Sequence, residues 1–282
     1  MNRNATLRAP AKINLALDIL RKDPSGYHEI RTVLQEVPSL ADIITLEEGA
    51  NYGDFDIEFP NAPEHEEDNT VKTALALLKK DFPDTPSVYI AVHKNIPMQS
   101  GLGGGSSDAA AVLKQLGEWW KIPHEELMKI AEKIGMDCPF FLYGGTALDT
   151  HFGEKITPLP PLPQSVNIEV IDTGITVSTR DAYTLVDISR CNKNTSRTDT
   201  LIAALHAGDT NAIIQNARND FEEFIFAAHP ELLAKKLAAE KEKPGRIMLC
   251  GSGGALVSLT KALNKSSQDN TSRSRLVRLH LR

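Results

Sequence analysis

A glycine-rich segment at residues 97–107 has the composition of a loop that binds phosphate. Four of the five residues from 101 to 105 are glycine. Glycine loses more conformational entropy on folding than other residues, so it destabilises a fold. So many glycines together therefore indicate a backbone that adopts positive φ or approaches a ligand closely. Two serines follow and offer hydroxyl groups and helix caps. We therefore predict phosphate contacts from Pro97, Met98, Gln99, Ser100, Gly101, Leu102, Gly103, Gly104, Gly105, Ser106 and Ser107.

This segment lies between a predicted strand and a predicted helix. Before it, Val88, Ile90 and Val92 alternate with residues of a second face, which is the period of a strand. After it, apolar residues from Ala109 to Trp120 recur on one helical face. The first N–H groups of a helix lack partners and carry partial positive charge, so they attract an anion. The alternative is a glycine-rich turn with a serine cap that binds no ligand.

Two common nucleotide-binding motifs do not fit the segment. The motif G-x-x-x-x-G-K-[ST] is absent, because no lysine follows the glycines. In the dinucleotide motif G-x-G-x-x-G, Ser106 occupies the position of the third glycine. That motif also requires an acidic residue at the end of a second strand about twenty residues later, where this chain continues a helix. Hydride transfer is therefore a weak alternative.

The composition is that of an ordinary globular protein. The 282 residues are 41% hydrophobic and 24% charged, with a formal net charge of −6. This acidic balance argues against nucleic acid or a membrane surface as the main partner. Cys138, Cys191 and Cys250 are far apart and lack metal-binding spacing, which predicts a reducing compartment. With no apolar leader and no long apolar run, we expect a cytoplasmic protein.

Several polar residues near the N-terminus have spacing that suits a binding site. Lys12 and Asn14 lie on the same face of a strand predicted over residues 12–20. Tyr27 and His28 follow a predicted turn and begin the next apolar run. Exposed aromatic side chains on a loop suit contact with a ligand. The ordinary alternatives are a solvated lysine and two aromatic residues that fill the edge of the core.

Three further candidates stand at predicted ends of elements. Asn69 begins a helix, Lys94 ends the strand before the glycine-rich segment, and Asp137 lies in a turn ahead of Pro139. The local sequence alone equally allows a helix cap for Asn69 or Asp137, and a solvated side chain for Lys94.

A segment rich in proline and glycine predicts a domain boundary. Residues 151–164 contain one glycine and four prolines, a density that resists helix and strand interiors. We place an N-terminal domain at residues 1–156 and a C-terminal domain at residues 157–282. Beyond the boundary, the pattern predicts helices over residues 211–226 and 230–242.

The segment from Pro97 to Ala110 resembles the nucleotide loop of the GHMP kinases. Its form G-L-G-G-G-S-S-D-A-A is similar to the branch of that family whose acceptor carries a cytidylyl group. Four other stretches in the same order support the resemblance, and they are Pro10-Ala11-Lys12-Ile13-Asn14-Leu15, Gly26-Tyr27-His28-Glu29-Ile30, Gly135-Met136-Asp137-Cys138-Pro139-Phe140 and Gly251-Ser252-Gly253-Gly254.

The resemblance implies an α+β, two-domain GHMP kinase fold, with an N-terminal nucleotide-binding domain and a smaller C-terminal α/β sandwich domain. It implies transfer of the γ-phosphoryl group of ATP to the 2-hydroxyl of 4-diphosphocytidyl-2-C-methyl-D-erythritol, on the non-mevalonate route to isoprenoid precursors. ATP would be the co-substrate and Mg²⁺ the metal, with ligands that the residues do not identify. The only expected partner is this cytidine diphosphate-linked small molecule, without nucleic acid or membrane, and we expect a monomer or a weak dimer.

The resemblance also implies roles for individual residues. Asp137 would accept the hydroxyl proton, and Lys12 would keep Asp137 ionised and steady the migrating phosphoryl group. ATP would contact residues 97–107 together with Asn69 and Lys94. The acceptor would contact Asn14, Tyr27, His28 and Thr179, the last from an S-T-x-x-x-Y/F stretch.

Two other functions remain open from the sequence. Another GHMP small-molecule kinase, acting on homoserine or mevalonate, would use the same loop, and so would an anion-binding regulator. The Tyr27–His28 pair favours the cytidylyl branch, and a catalytic aspartate favours an enzyme. Met136 and Ser100 depart from the family pattern, because smaller residues are expected there.

Overall fold

The structure is a computed structural model that describes residues 3–49, 53–61 and 69–262 and the backbone of residues 274–278. Its elements up to residue 158 are β1 (Asn4–Lys22), β2 (His28–Glu48), β3 (Phe55–Glu58), α1 (Thr70–Asp81), β4 (Val88–His93), α2 (Gly104–Trp120), α3 (His124–Ile134), α4 (Cys138–Tyr143), β5 (Thr146–His151) and β6 (Lys155–Pro158). The later elements are β7 (Val166–Asp172), α5 (Thr179–Thr184), a 3₁₀ turn (Ile188–Arg190), α6 (Thr195–Ala207), α7 (Thr210–Asn216), β8 (Arg218–Asn219), α8 (Phe221–Ala228), α9 (Pro230–Glu242), β9 (Arg246–Leu249), β10 (Leu256–Lys261) and β11 (Ser274–Arg278). The predicted α+β class is confirmed.

The chain forms two compact units whose segments alternate along the sequence. The described parts of the first unit are residues 3–11, 40–49, 53–61, 69–96 and 103–143. The described parts of the second unit are residues 12–39, 97–102, 144–262 and 274–278. The long strands β1 and β2 each contribute one part to either unit. The boundary after residue 156 is placed between two domains that are each continuous in sequence. It stays a prediction.

The first unit contains strands of a mixed sheet and four helices. Strand β3 pairs in parallel with β4, with Phe55 opposite Val88. Strand β4 pairs antiparallel with the last part of β2, with Ile43 opposite His93. Helices α1 to α4 pack against one another. Each fully buried aliphatic side chain contributes about 1.5–3 kcal/mol; those of this unit include Leu46, Leu75, Leu78, Ile90, Leu113 and Leu116.

The second unit contains two groups of strands. The first part of β2 pairs antiparallel with β5, with Ile30 opposite His151, and β1 pairs in parallel with the short β8. A separate sheet has the strand order β11-β7-β10-β9. Helices α8 and α9 pack on β9. The apolar cluster of this unit includes Phe221, Phe224, Ile225, Ile247, Leu249 and Leu256.

The prediction of one helix over residues 211–226 is wrong. Helix α7 ends at Asn216, Ala217 is extended with φ −60° and ψ 133°, and β8 then pairs with β1. The side chain of Asn219 donates to the carbonyl oxygens of Leu249 and Gly251, at 3.0 and 2.7 Å. These contacts between residues distant in sequence compensate for the interrupted helical hydrogen bonds. The predicted helix at 230–242 and the strand at 12–20 are confirmed.

None of the helices formed by the described residues has the length and hydrophobicity of a transmembrane span.

Candidate active site

Helix α2 begins inside the glycine-rich segment. Its N-cap is Gly103, which has a φ of +72° and makes no side-chain cap hydrogen bond. The expectation that Ser106 and Ser107 cap the helix is therefore wrong, because both lie within it. A cap without a side-chain oxygen leaves the first helical N–H groups available to an anion. The local geometry required of a phosphate loop is thus present at Gly104 and Gly105.

Helix α1 contacts this helix start. The hydroxyl of Thr70 donates to the carbonyl oxygen of Gly105 at 2.6 Å. A Cβ atom on Gly105 would lie 3.0 Å from that hydroxyl, so the missing side chain allows the close approach. Asn69 caps α1, and its Oδ1 accepts from Val71 N and Lys72 N at 2.9 and 3.3 Å. Asn69 therefore serves as an ordinary cap, and its contact with the nucleotide stays a prediction.

Lys94 lies between two buried carboxylates. Its ammonium group contacts Asp42 and lies 2.5 Å from Oδ2 of Asp108. Asp42 also accepts from the backbone N–H of Ile96 at 2.8 Å. A Cβ atom on Gly104 would be 3.3 Å from Nζ of Lys94. The lysine therefore stands beside the first residue of α2, while its charge is shared with two aspartates.

Burial raises the pKa of Asp108 to about 8. Repulsion from Asp42 acts in the same direction, and attraction to Lys94 opposes it. For Lys94, burial lowers the pKa, but the two carboxylates outweigh that effect and the pKa is raised. The lysine thus stays charged, and Asp108 needs a higher pH to lose its proton than an ordinary aspartate does.

Lys12 and Asn14 lie on one face of β1, as predicted, but that face is buried. Nζ of Lys12 donates to Oδ1 of Asn14 at 3.0 Å. Nδ2 of Asn14 donates to Oγ1 of Thr32 at 2.8 Å, and the Thr32 hydroxyl donates to the carbonyl oxygen of Ala16 at 2.7 Å. Only 4% of Lys12 is exposed. The ordinary alternative of a solvated lysine is therefore wrong.

The segment before Gly103 packs against the motif at residues 251–254 and against Cys250. The backbone N–H of Lys12 donates to the carbonyl oxygen of Leu102 at 2.9 Å. A Cβ atom on Gly101 would lie 1.9 Å from the carbonyl oxygen of Cys250, and one on Gly253 would lie 2.2 Å from the backbone nitrogen of Gly101. The glycines of residues 251–254 therefore allow two backbone segments to touch, which is a packing role.

Tyr27 and His28 differ in exposure. Tyr27 is 59% exposed, and its ring centroid lies 5.9 Å from that of Phe152. His28 is buried and stacks on Tyr183, with centroids 4.9 Å apart and ring planes at 19°. Burial, and then the charge of Lys22, lowers the pKa of His28. The expectation of two exposed aromatics holds for Tyr27 and is wrong for His28.

Thr179 and Asp137 both stand at the start of a helix. Thr179 begins α5, and its hydroxyl accepts from the hydroxyl of Ser252 at 3.0 Å. Asp137 directly precedes α4, and its carbonyl oxygen accepts from Phe141 N at 3.4 Å. Burial, and then the charge of Asp137, raises the pKa of the Cys138 thiol to about 12. That thiol is therefore inert beside Asp137.

The structure groups the predicted residues within each unit. In the first, Asn69 and Lys94 lie close to the start of α2. In the second, Lys12 and Asn14 form one hydrogen-bonded row, and Thr179 bonds to the 251–254 motif. Sequence reasoning missed Asp42, Asp108 and Thr32. The sequence feature that could have identified them is a polar residue at a position that the hydrophobic periodicity assigns to a buried face.

The comparisons with known proteins agree on one family. The family model described as "GHMP kinases N terminal domain" matches residues 69–145. A 4-diphosphocytidyl-2-C-methyl-D-erythritol kinase of Thermotoga petrophila is 36% identical over 262 residues, covering 92% of this chain and 93% of the relative. A protein of the same name from Caldicellulosiruptor bescii is 38% identical over 255 residues, covering 89% and 87%.

Solved structures agree with these relatives. A crystal structure of 4-(cytidine 5'-diphospho)-2C-methyl-D-erythritol kinase superposes with a TM-score of 0.75 at 29% identity, covering 90% of both chains. A homoserine kinase from Cytophaga hutchinsonii superposes with a TM-score of 0.70 at 20% identity, covering 92% of this chain and 85% of the other. This second likeness shows a common fold alone. From the extent and identity of the curated matches, the chain belongs to the 4-diphosphocytidyl-2-C-methyl-D-erythritol kinase family of GHMP kinases.

Proposed function

We propose that this protein transfers the γ-phosphoryl group of ATP to the 2-hydroxyl of 4-diphosphocytidyl-2-C-methyl-D-erythritol. The names of the relatives over nearly the whole chain support this reaction over phosphorylation of homoserine or mevalonate. The observation that carries the proposal is the buried ammonium group of Lys12, whose own backbone N–H binds the glycine-rich segment at Leu102. Because a buried lysine is costly and rare, its position indicates a functional requirement.

Phosphoryl transfer asks a protein to align attacker and leaving group and to neutralise charge on the phosphoryl oxygens. We assign the ATP phosphates to residues 97–107 and to the start of α2, whose N-cap lacks a side-chain hydrogen bond. Asn69 and Lys94 are the further ATP contacts of the proposal. Asp42 and Asp108 contact the ammonium group of Lys94 and hold it beside the start of α2.

We assign to Asp137 the proton of the acceptor hydroxyl, and to Lys12 the migrating phosphoryl group. The Asp137 carboxylate accepts this proton as the hydroxyl oxygen attacks, and it releases the proton to solvent after transfer. Asn14 and Thr179 are the further acceptor contacts of the proposal. Tyr27 covers a face of the cytosine, which its exposed ring suits, and His28 contacts the edge of the base.

Mg²⁺ accompanies ATP in this proposal. Within the described residues, no group of three or more His, Cys, Asp and Glu side chains could hold a metal, which suits an ion bound mainly by phosphates and water. The buried Oγ of Ser107 has no hydrogen-bond partner among the described residues, and such an oxygen fits Mg²⁺ as a protein ligand. When bound, the ion neutralises charge on the phosphate oxygens.

We further propose a cytoplasmic protein that acts as a monomer or weak dimer without nucleic acid or membrane. The net charge of −6 and the three buried free cysteines support this proposal. Light scattering after size exclusion tests the oligomeric state.

The reaction is tested by ADP release with 4-diphosphocytidyl-2-C-methyl-D-erythritol, homoserine and mevalonate as separate acceptors. We expect ADP with the first alone, and a product whose phosphate lies on the 2-hydroxyl by phosphorus NMR. Equal turnover of homoserine or mevalonate would replace this function with the broader GHMP assignment. Absence of ADP with all three would leave only anion binding.

A further inference from the structure

A row of buried polar side chains runs from Lys12 into the second strand. We propose that Thr32 is a positioning residue for the reaction, because it sets the orientation of the Asn14 amide and thereby the place of the Lys12 ammonium group. The row passes from Nζ of Lys12 to Asn14 at 3.0 Å, and from Asn14 to Thr32 at 2.8 Å. The inference rests on the proposed role of Lys12 and adds a residue that touches neither substrate.

The direction of each hydrogen bond follows from the end of the row. A hydroxyl has one hydrogen, and that of Thr32 is donated to the carbonyl oxygen of Ala16 at 2.7 Å. Thr32 therefore meets Asn14 as an acceptor, so the NH₂ end of Asn14 faces Thr32. The oxygen end of the same amide then faces Lys12, which has only hydrogens to donate. One carbonyl group of β1 thus determines which end of Asn14 the ammonium meets.

The surroundings of the row make a wrong orientation costly. Lys12, Asn14 and Thr32 are 4%, 3% and 2% exposed, so water does not replace a lost partner. A Cβ atom on Gly251 would lie 3.2 Å from Nζ of Lys12 and 3.3 Å from Oδ1 of Asn14. The motif at residues 251–254 therefore closes one side of the row. A rotated amide would direct hydrogens at the ammonium group, and the ammonium would have to move.

The test compares three variants of the full chain. Thr32→Val keeps the branched shape and removes the acceptor, while Thr32→Ser keeps the hydroxyl. Thr198→Val is the matched control, because Thr198 is also fully buried and its hydroxyl has no hydrogen-bond partner in the described part of the chain. Removing an unpaired buried hydroxyl is neutral or stabilising. For each variant, kcat, the KM for ATP and the midpoint of urea unfolding are measured.

We expect Thr32→Val to lower kcat about 10- to 100-fold, since small misplacements of a reacting group have effects of that size. The KM for ATP should stay within about threefold, and Thr32→Ser and Thr198→Val should keep nearly normal kcat. If Thr32 had only a structural role, Thr32→Val would lower the amount of folded protein. The kcat of the folded enzyme would then not fall while the KM for ATP stays constant. Wild-type kcat in folded Thr32→Val would overturn the inference, as would an equal loss in Thr32→Ser.

A second measurement separates this inference from the proposed reaction. Nitrogen-15 NMR of the Asn14 side-chain amide reports its hydrogen exchange without any substrate. We expect slow exchange in the wild type and in Thr32→Ser, and faster exchange in Thr32→Val. This measurement also remains possible if Thr32→Val is poorly stable. Unchanged exchange would overturn the positioning role even if the enzyme is active. Inactivity of the wild type with slow Asn14 exchange would overturn the proposed reaction alone.

Discussion

Nζ of Lys94 lies 2.5 Å from Oδ2 of Asp108, directly beside the first residue of α2. Asp42 contacts the same ammonium group, so one cation serves two buried carboxylates. This shared contact links the end of β4 to the helix that we assign to phosphate binding. Burial, together with repulsion from Asp42, raises the pKa of Asp108 in this contact, while attraction to Lys94 opposes the rise.

Asp108→Asn should change how stability depends on pH. The pKa of Asp108 is raised from 3.8 to about 8, so between these values the folded protein holds a proton that the unfolded chain has lost. The free energy of unfolding of the wild type therefore falls as pH rises through that window, and asparagine lacks this contribution. Urea unfolding at about pH 5 and about pH 8 should show the wild type losing stability relative to the variant.

Asp187→Asn is the control for this pH dependence. Hydrogen bonds, first from the Ser189 side chain, lower the pKa of the exposed Asp187. Its stabilising effect is lost only as pH falls below the ordinary aspartate range, so the difference from wild type should be constant between about pH 5 and about pH 8. A constant difference for Asp108→Asn as well would contradict a raised pKa at Asp108.

Gly101→Ala should destabilise the protein strongly. A Cβ atom at Gly101 would lie 1.9 Å from the carbonyl oxygen of Cys250, at a φ of +79°. We expect a loss of roughly 3 kcal/mol or more in the free energy of unfolding. Gly174 has a similar φ of +69° but nothing within 4 Å, so Gly174→Ala should cost about 1–2 kcal/mol. Urea unfolding measures both, and equal losses would show that the contact with Cys250 is not rigid.

Asn69→Ser should separate the two roles of Asn69. Serine keeps the cap of α1 and removes the amide, while Asn69→Ala removes both and should cost about 1 kcal/mol of stability. If the amide reaches the nucleotide, both variants raise the KM for ATP, and only the alanine variant loses stability. Normal ATP kinetics in Asn69→Ser would restrict Asn69 to the cap that the structure shows.

Tyr27→Ala should weaken binding of the cytidylyl acceptor. Stacking of a base on an aromatic ring contributes about 1–3 kcal/mol, so we expect the KM for the acceptor to rise about 10- to 100-fold while the KM for ATP holds. Tyr143 is also exposed, at 48%, but its ring packs on His124, and Tyr143→Ala is the control. Steady-state kinetics of the two variants would refute the stacking role if their acceptor KM values agree.

Asp137→Asn should lower kcat by roughly 10²–10⁴ with ATP binding little changed, because asparagine cannot accept the hydroxyl proton. Single-turnover phosphoryl transfer and ATP affinity by calorimetry measure the two quantities. Near-normal transfer in the folded variant would remove Asp137 from the role of base.

The sequence by itself determined the features that depend on neighbouring residues. The dense glycines at residues 101–105, the alternation before them and the helical spacing after them predicted a strand, a loop and a helix. Together with the other motifs they indicated the family. Local patterns suffice for these features because hydrogen bonds within a helix, turn preferences and hydrophobic periodicity act over a few residues.

Only the tertiary structure decided the environments of the side chains. Lys94 meets a carboxylate 52 residues away, His28 is buried against Tyr183, and the predicted helix at 211–226 is broken where Asn219 binds Leu249 and Gly251. Each result reflects a contact between distant segments that outweighs a local preference. Charge, burial and hydrogen-bond direction belong to such contacts, so a residue type and its spacing suggest a role while the fold sets its chemistry.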